Sequence, residues 1–181
     1  MDLATQQRKL LGLFRNADTV CPDDDPYIRC IAQSKHLAEG RRNILLWRVF
    51  VLERTCPLTV NLLRRRDLLE ETLNDFIART NIYPFRETQA PAFLDEQCAH
   101  SDRMIAVVAQ FELALMRVKQ GDPRTYVVPW NVEPRAVLNS LARNLPLPDE
   151  IQEGAYQILI SRDIPRQFQI FSLQEEDGVL T

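Results

Sequence analysis

The sequence predicts an α+β protein, with an N-terminal helical bundle over residues 1–121 and a small winged-helix-like unit of strand, helix and hairpin over residues 122–181. Two changes in the sequence predict this division. Before Gly121 the apolar residues recur mostly at steps of three and four, the spacing of an amphipathic helix. After Gly121 come β-branched and aromatic residues, a helix that opens on a proline, and two segments with alternating apolar residues.

Helices are predicted along most of the first 100 residues. The apolar run at 44–52 is interrupted only by Arg48, and a helix that is apolar on nearly every side is expected at the centre of its bundle. Pro57 is expected to open the next helix, because its fixed φ suits the first turn. Asp67 is expected to cap the helix after that. Further helices are predicted at 2–15, 27–33 and 92–99, with loops at 20–26 and 81–91.

The clearest helix is predicted at 102–120. Its apolar residues recur at steps of three and four: Met104, Val107, Val108, Phe111, Leu115 and Val118. Ser101 can cap the start of this helix. Gly121 stands where a left-handed residue is expected to end it.

The tail is predicted to hold three strands and a helix. Residues 125–128 are β-branched and aromatic, and Pro129 limits this strand to a sheet edge or a strand end. Glu133 and Pro134 open a helix. Strands are predicted at 155–161 and 167–173, joined by a connection that contains Pro165.

Composition indicates a folded, near-neutral protein. The 181-residue chain carries a net charge of -3, which counts against neutralisation of many phosphates and therefore against nucleic acid as a partner. Nineteen arginines against three lysines suit bidentate carboxylate contacts. The alternative is that they only solvate helix faces, as charge runs usually do. Seven of these arginines lie between residues 41 and 66, which makes that surface a second candidate for partner or peptide carboxylates.

No metal or catalytic set is predicted. Cys98 and His100 lack a second pair at zinc spacing, and the five glycines are too dispersed for a nucleotide fingerprint. The four cysteines are expected to be free thiols. No stretch approaches the roughly 20 apolar residues of a membrane span, and no secretory signal is recognised, so a cytoplasmic location is expected.

Two charges and two tryptophans stand out in apolar surroundings. Arg48 and Glu112 each interrupt a strongly apolar stretch, and an unpaired buried charge is costly. They either pair across the bundle or reach water along their stems. Trp47 and Trp130 are expected to pack in the core, with a partner contact as the alternative for each.

Apolar, proline and arginine positions between residues 40 and 173 resemble those of one family. The positions that carry the resemblance are Arg42, Asn43, Leu52, Thr55, Pro57, Thr59, Leu62, 93–94, 111–115, 128–130, Pro134 and 160–165. This pattern resembles the TglI-like partner subunits found beside multinuclear non-haem iron enzymes of ribosomal peptide natural-product pathways. The MbnC-like partners are a more distant resemblance.

The resemblance implies a division of labour between two chains. It implies that this chain is a non-catalytic subunit without a cofactor of its own, in a heterodimer with a TglH-like TIM-barrel enzyme that holds the iron. In 3-thiaglutamate biosynthesis such a complex uses iron and dioxygen to excise the β-carbon of a C-terminal cysteine on a carrier peptide. The implied partners are therefore the iron enzyme and the carrier peptide.

Predicted binding residues follow from this interpretation. A peptide groove is expected between the helix 134–145 and a sheet edge at 155–161, lined by Val137, Leu138, Leu141, Tyr156, Ile158, Ile160 and Arg162. Contacts with the partner enzyme are expected at Arg64, Arg65, Arg66, Trp130 and Arg166. The alternative is a winged-helix nucleic-acid-binding regulator, but Arg135 and Arg143 are few basic residues for a recognition helix.

Overall fold

The computed structural model describes residues 2–14, 20–80 and 86–173. This part of the chain forms eight α-helices and one three-stranded antiparallel sheet, which confirms the α+β class. The helices are α1 (Leu3–Phe14), α2 (Pro26–Ala32), α3 (Lys35–Thr55), α4 (Pro57–Arg65), α5 (Leu69–Arg79), α6 (Arg86–Gln97), α7 (Arg103–Lys119) and α8 (Pro134–Ala142). The strands are β1 (Tyr126–Val132), β2 (Glu153–Ile160) and β3 (Phe168–Ser172).

The first three helices enclose a small apolar cluster of their own. Leu13, Ile28 and Leu37 are buried together. Asp25 caps α2 through the Tyr27 N–H, and Ser34 caps α3. These caps fix both helix starts with local hydrogen bonds.

Helix α4 begins at Pro57 as predicted, but Asp67 does not cap the next helix. Asp67 adopts a left-handed φ of 56°, and the Leu68 N–H donates to the Leu63 carbonyl at 3.0 Å. This pattern ends α4 in the manner of a Schellman motif. The prediction of an Asp67 cap is therefore wrong, because Asp67 serves the end of α4 rather than the start of α5.

Helix α6 replaces most of a predicted loop. Residues 81–85 lie outside the described part of the chain, but α6 starts at Arg86 and contains Pro91. Ala90, Phe93 and Leu94 are fully buried in this helix. Their packing outweighs the helix-breaking tendency of Pro91, so the loop prediction is wrong for residues 86–91.

Helix α7 occupies the centre of the bundle. Ten of its residues are buried, and its N-terminus is capped by Asp102, whose carboxylate accepts from the Met104 N–H at 2.8 Å, rather than by Ser101. Gly121 follows with a φ of 96°, as predicted for a left-handed end. The prediction that the 44–52 helix lies at the centre is wrong, because α7 takes that position.

The sheet packs one face against α7. Its strand order is β1-β2-β3, and both pairings are antiparallel. Val128, Ile158 and Ile170 form one inward row across the three strands. The rings of Phe111 on α7 and Phe168 on β3 meet edge to face, with centroids 5.3 Å apart. Pro129 lies in the outer strand β1, which confirms the prediction for that proline.

One apolar core crosses the boundary predicted at Gly121. Buried residues of α4, α6 and α7 belong to the same cluster as those of β1, α8 and β2. Asn61 of α4 also donates to the Leu141 carbonyl at the end of α8 at 2.9 Å. Gly121 marks a change of secondary structure, and the division into 1–121 and 122–181 as domains stays a prediction.

Candidate functional site

Helix α3 exposes large apolar side chains on one side, which we call the α3 stripe. Its members are Ile44, Leu46, Trp47 and Phe50, with exposed fractions of 38%, 54%, 56% and 49%. Ile44, Trp47 and Phe50 follow one another at steps of three residues, and Leu46 lies four residues before Phe50. Residues three and four apart are neighbours on a helix surface, so the four side chains form one strip over two turns. Contiguous apolar surface of this kind marks an interaction site more often than scattered hydrophobic residues do.

The guanidinium of Arg54 borders the α3 stripe at Phe50. The rings of Trp47 and Phe50 lie 5.7 Å apart between centroids, and the Arg54 guanidinium lies 6.0 Å from the Phe50 centroid. Tryptophan and arginine are enriched among the residues that dominate protein-protein binding energy. The prediction that Trp47 packs in the core is wrong, because its side chain is 56% exposed.

The N-terminus of α4, which follows Arg54 in the chain, is capped by the carboxylate of Glu112 from α7. Cys56, at the N-cap position, makes no side-chain hydrogen bond to the helix. Instead the two carboxylate oxygens of Glu112 accept from the N–H groups of Leu58 and Thr59, both at 2.9 Å. A carboxylate at this position satisfies two amides that lack partners in the helix and complements the positive end of the helix dipole.

Burial governs the titration of Glu112. Removal from water raises the pKa of Glu112 to about 7, although the amides of Leu58 and Thr59 and the charge of Lys119 lower it. Near neutral pH the group therefore exists in both protonation states. Burial, together with the charge of Glu112, also raises the pKa of the Cys56 thiol, which leaves this cysteine unreactive.

A pocket of about 640 Å³ opens beside Glu112. It is lined by the end of α3, the start of α4, α6 and the C-terminal half of α7: Arg54, Thr55, Pro57, Leu58, Glu87, Glu112, Leu115, Met116, Lys119 and Gln120. Its volume falls within the range of about 300–1,000 Å³ that is usual for small-molecule sites. The pocket adjoins the α3 stripe through Arg54.

Two cations at this pocket are not neutralised by the described part of the chain. Arg54 and Lys119 form no ion pair within 4 Å with any acidic side chain there. By contrast, the nearby Arg64 pairs with Glu53 at 2.8 Å. The pocket therefore combines apolar walls with two cations outside ion pairs and two acids, Glu87 and Glu112, and the charge of Lys119 acts on Glu112.

The buried Arg48 serves a different helix end. Its guanidinium donates to the carbonyls of Ile77 and Thr80 at 3.0 and 3.2 Å, near the C-terminus of α5. Arg48 and Gln89 also exchange two hydrogen bonds of 2.8 Å. The prediction that Arg48 pairs with Glu112 is wrong, because each charge complements a separate helix terminus.

Six of the residues predicted to line a peptide groove belong to the core. Their exposed fractions do not exceed 8%: Val137, Leu138, Leu141, Tyr156, Ile158 and Ile160. In α8 and β2 the side chains that follow the apolar periodicity pack into the core. The periodicity that suggested these residues as a groove therefore predicts their burial instead. Arg162 alone of the seven is exposed.

The predicted sheet edge at 155–161 is also wrong. Strand β2 pairs with β1 on one side and with β3 on the other, so its backbone groups are not available to a further strand. The outer strands of the described sheet are β1 and β3. Phe171 of β3 and Leu173, just beyond it, are 40% and 46% exposed.

The predicted partner-binding arginines do not form one cluster. Arg64 binds Glu53, Arg65 donates to Asn144 Oδ1 at 3.3 Å, and Arg66 pairs with Asp102 at 3.3 Å. Trp130 is 3% exposed on the inner side of the sheet, which confirms core packing for this residue. Arg166 is exposed in the turn before β3, with a left-handed φ of 62°.

The only sequence cluster of metal-ligand types forms a local turn. His100 Nδ1 accepts from the Asp102 N–H at 2.9 Å. Within the ranges that the structure describes, no group of three or more His, Cys, Asp or Glu residues is arranged to hold a metal ion. In the same ranges, no helix combines the length and apolarity needed to cross a bilayer.

The chain matches no model of a known protein family, no curated protein and no solved structure. The resemblance to TglI-like partner subunits therefore stays a prediction. The α3 stripe and the pocket beside Glu112 are features that sequence reasoning missed as sites. The sequence does contain a signal for the α3 stripe. Both 44–52 and 104–118 are strongly apolar helices, and the one that does not lie at the centre of the bundle exposes apolar side chains.

Proposed function

We propose that the chain is a non-catalytic, cytoplasmic binding subunit that docks through the α3 stripe on a TglH-like TIM-barrel iron enzyme and helps to present a carrier peptide to it. Iron, dioxygen chemistry and excision of the β-carbon from the C-terminal cysteine belong to the partner. The identity of this partner rests on the sequence resemblance. The role of a binding subunit rests on the exposed surface.

The α3 stripe is the single observation that carries the proposal. Trp47 and Phe50 are about half exposed and contact each other. Their side chains carry a large apolar area that gains free energy when a partner removes it from water. An aromatic pair beside Arg54 has the composition of an interface centre, where a few residues dominate affinity.

The peptide is assigned to the outer edge of β3. In the described part of the chain, the side of β3 away from β2 pairs with no strand, so an extended peptide can add backbone hydrogen bonds there. Phe171 and Leu173 offer exposed apolar contacts at this edge. The succession of β1, α8 and the β2–β3 hairpin supports the winged-helix-like interpretation of this unit.

Co-expression with a TglH-like iron enzyme tests the assembly. We expect the two chains to co-purify as a heterodimer, and we expect metal analysis of the separated chains to find iron on the enzyme alone. Iron retained by this chain, or the failure of a folded enzyme to co-purify with it, would contradict the proposal. Isothermal titration of the complex with the carrier peptide then tests the second role.

Variants of the β3 edge locate the peptide. Phe171→Ser is expected to weaken peptide binding to the complex while the heterodimer persists. Val127→Ser is a matched control, since Val127 is 54% exposed on β1, at the opposite edge of the sheet. Equal affinity in Phe171→Ser and the unsubstituted chain would exclude this edge as the peptide site.

A further inference from the structure

The pocket beside Glu112 has walls of two kinds. Leu58, Leu115 and Met116 give it an apolar side, while Arg54 and Lys119 place positive charge on α3 and α7. Binding sites for small molecules commonly combine an apolar lining with a few convergent polar groups. The pocket therefore suits a ligand with an apolar part and a polar end.

The charges at the pocket favour a monoanion. Both oxygens of Glu112 already accept hydrogen bonds from the α4 amides. Glu87, the other acid, is exposed on α6. The lining has two cations, Arg54 and Lys119, and two acids, so its net charge is 0 when Glu112 is ionised and +1 when Glu112 is protonated. A monoanion is expected to bind together with the protonated form. One negative charge balances this lining, whereas a phosphate dianion exceeds it.

We propose that this pocket binds an amphipathic carboxylate, with the carboxylate held by Arg54 and Lys119 and the apolar group lying on Leu58, Leu115 and Met116. An arginine recognises a carboxylate through two parallel hydrogen bonds, and a lysine adds a point charge. The C-terminal residue of a peptide and a medium-chain fatty acid share this chemistry. The site borders the α3 stripe at Arg54 and includes no residue of β3.

Calorimetric titration of the isolated full chain tests the ligand class. The probes are octanoate and N-acetyl-leucyl-leucine, each compared with its neutral amide, octanamide or N-acetyl-leucyl-leucinamide. We expect an acid to bind at least about tenfold more tightly than its amide, as for loss of one charge-assisted hydrogen bond. The more tightly bound acid identifies the source of the carboxylate. Equal binding of acids and amides, or no binding of either acid at about 5 mM, would overturn the proposal.

Charge-removing variants test the assigned side chains. Arg54→Gln and Lys119→Gln are each expected to weaken binding of the preferred acid about tenfold. Arg42→Gln and Lys35→Gln are matched controls, because both residues are exposed on α3 and do not line the pocket. Equal weakening in the variants and the controls would show that binding depends on the overall charge of the chain rather than on Arg54 and Lys119, and would overturn the proposal. Because the assay contains no partner enzyme, its failure would leave the proposed heterodimer intact.

Discussion

Replacement of Glu112 by glutamine should change how the stability of the protein depends on pH. Burial raises the pKa of Glu112 from 4.5 to about 7. Between those values the folded chain keeps a proton that the unfolded chain releases, so the contribution of this group to the free energy of unfolding falls as pH rises. One pKa unit corresponds to about 1.4 kcal/mol, which gives a loss of roughly 3 kcal/mol between pH 4 and pH 8.

Urea unfolding across this pH range measures the effect. The quantity to compare is the free energy of unfolding of the unsubstituted chain minus that of Glu112→Gln, because other titrating groups cancel in the difference. We expect this difference to fall by roughly 3 kcal/mol as pH rises. A pH-independent difference for Glu112→Gln would refute the assignment of a raised pKa to this carboxyl.

Three further predictions concern packing and backbone. Arg48→Met should lower the free energy of unfolding by about 3 kcal/mol in urea titration, because it removes the hydrogen bonds to Gln89 and to the carbonyls of Ile77 and Thr80. Its effect should add to that of Glu112→Gln within about 0.5 kcal/mol, whereas strong coupling would reveal a direct pair. Gly121→Val should lower the free energy of unfolding by about 1 kcal/mol, because a side chain strains the φ of 96° at this position. An unchanged melting temperature would show that the turn relaxes. Phe168→Leu should lower the free energy of unfolding by about 1 kcal/mol, because it removes the edge-to-face ring contact with Phe111. An unchanged urea midpoint would contradict this.

Local chemistry made much of the secondary structure predictable. Pro57 and Pro134 open helices because a fixed φ and a missing N–H suit the first turn. Gly121 ends α7 because its positive φ carries little strain without a side chain. Pro91 was misleading for the opposite reason, since its local preference was outweighed by the burial of its neighbours in α6.

The candidate site depended on tertiary choices that local patterns do not contain. The sequence left two interpretations of Arg48 and Glu112 open, an ion pair across the bundle or side chains that reach water along their stems. Both are wrong, because the two residues are buried and do not pair with each other. Helix termini provided another solution, because their unsatisfied amides and carbonyls carry partial charge. Likewise, apolar runs predicted α3 and α7 as helices, but which of them became central was decided by packing across the whole bundle.

The sheet illustrates the same limit. Alternation identified β2 and β3 as strands, and their inward residues are the ones that follow the pattern. Periodicity does not reveal strand order, and β1 adds beside β2, which makes β2 central. The sheet edge that we propose for the peptide is therefore that of β3 rather than that of β2.

We propose that the α3 stripe is a protein-binding surface. Its most direct test is the affinity of a TglH-like iron enzyme for the double variant Trp47→Ser/Phe50→Ser, with Leu11→Ser, a 50% exposed residue of α1, as control. We expect the double variant to keep its melting temperature and to lose affinity by about 30-fold or more, while the control binds as the unsubstituted chain does. Unchanged affinity of a folded double variant would contradict the claim.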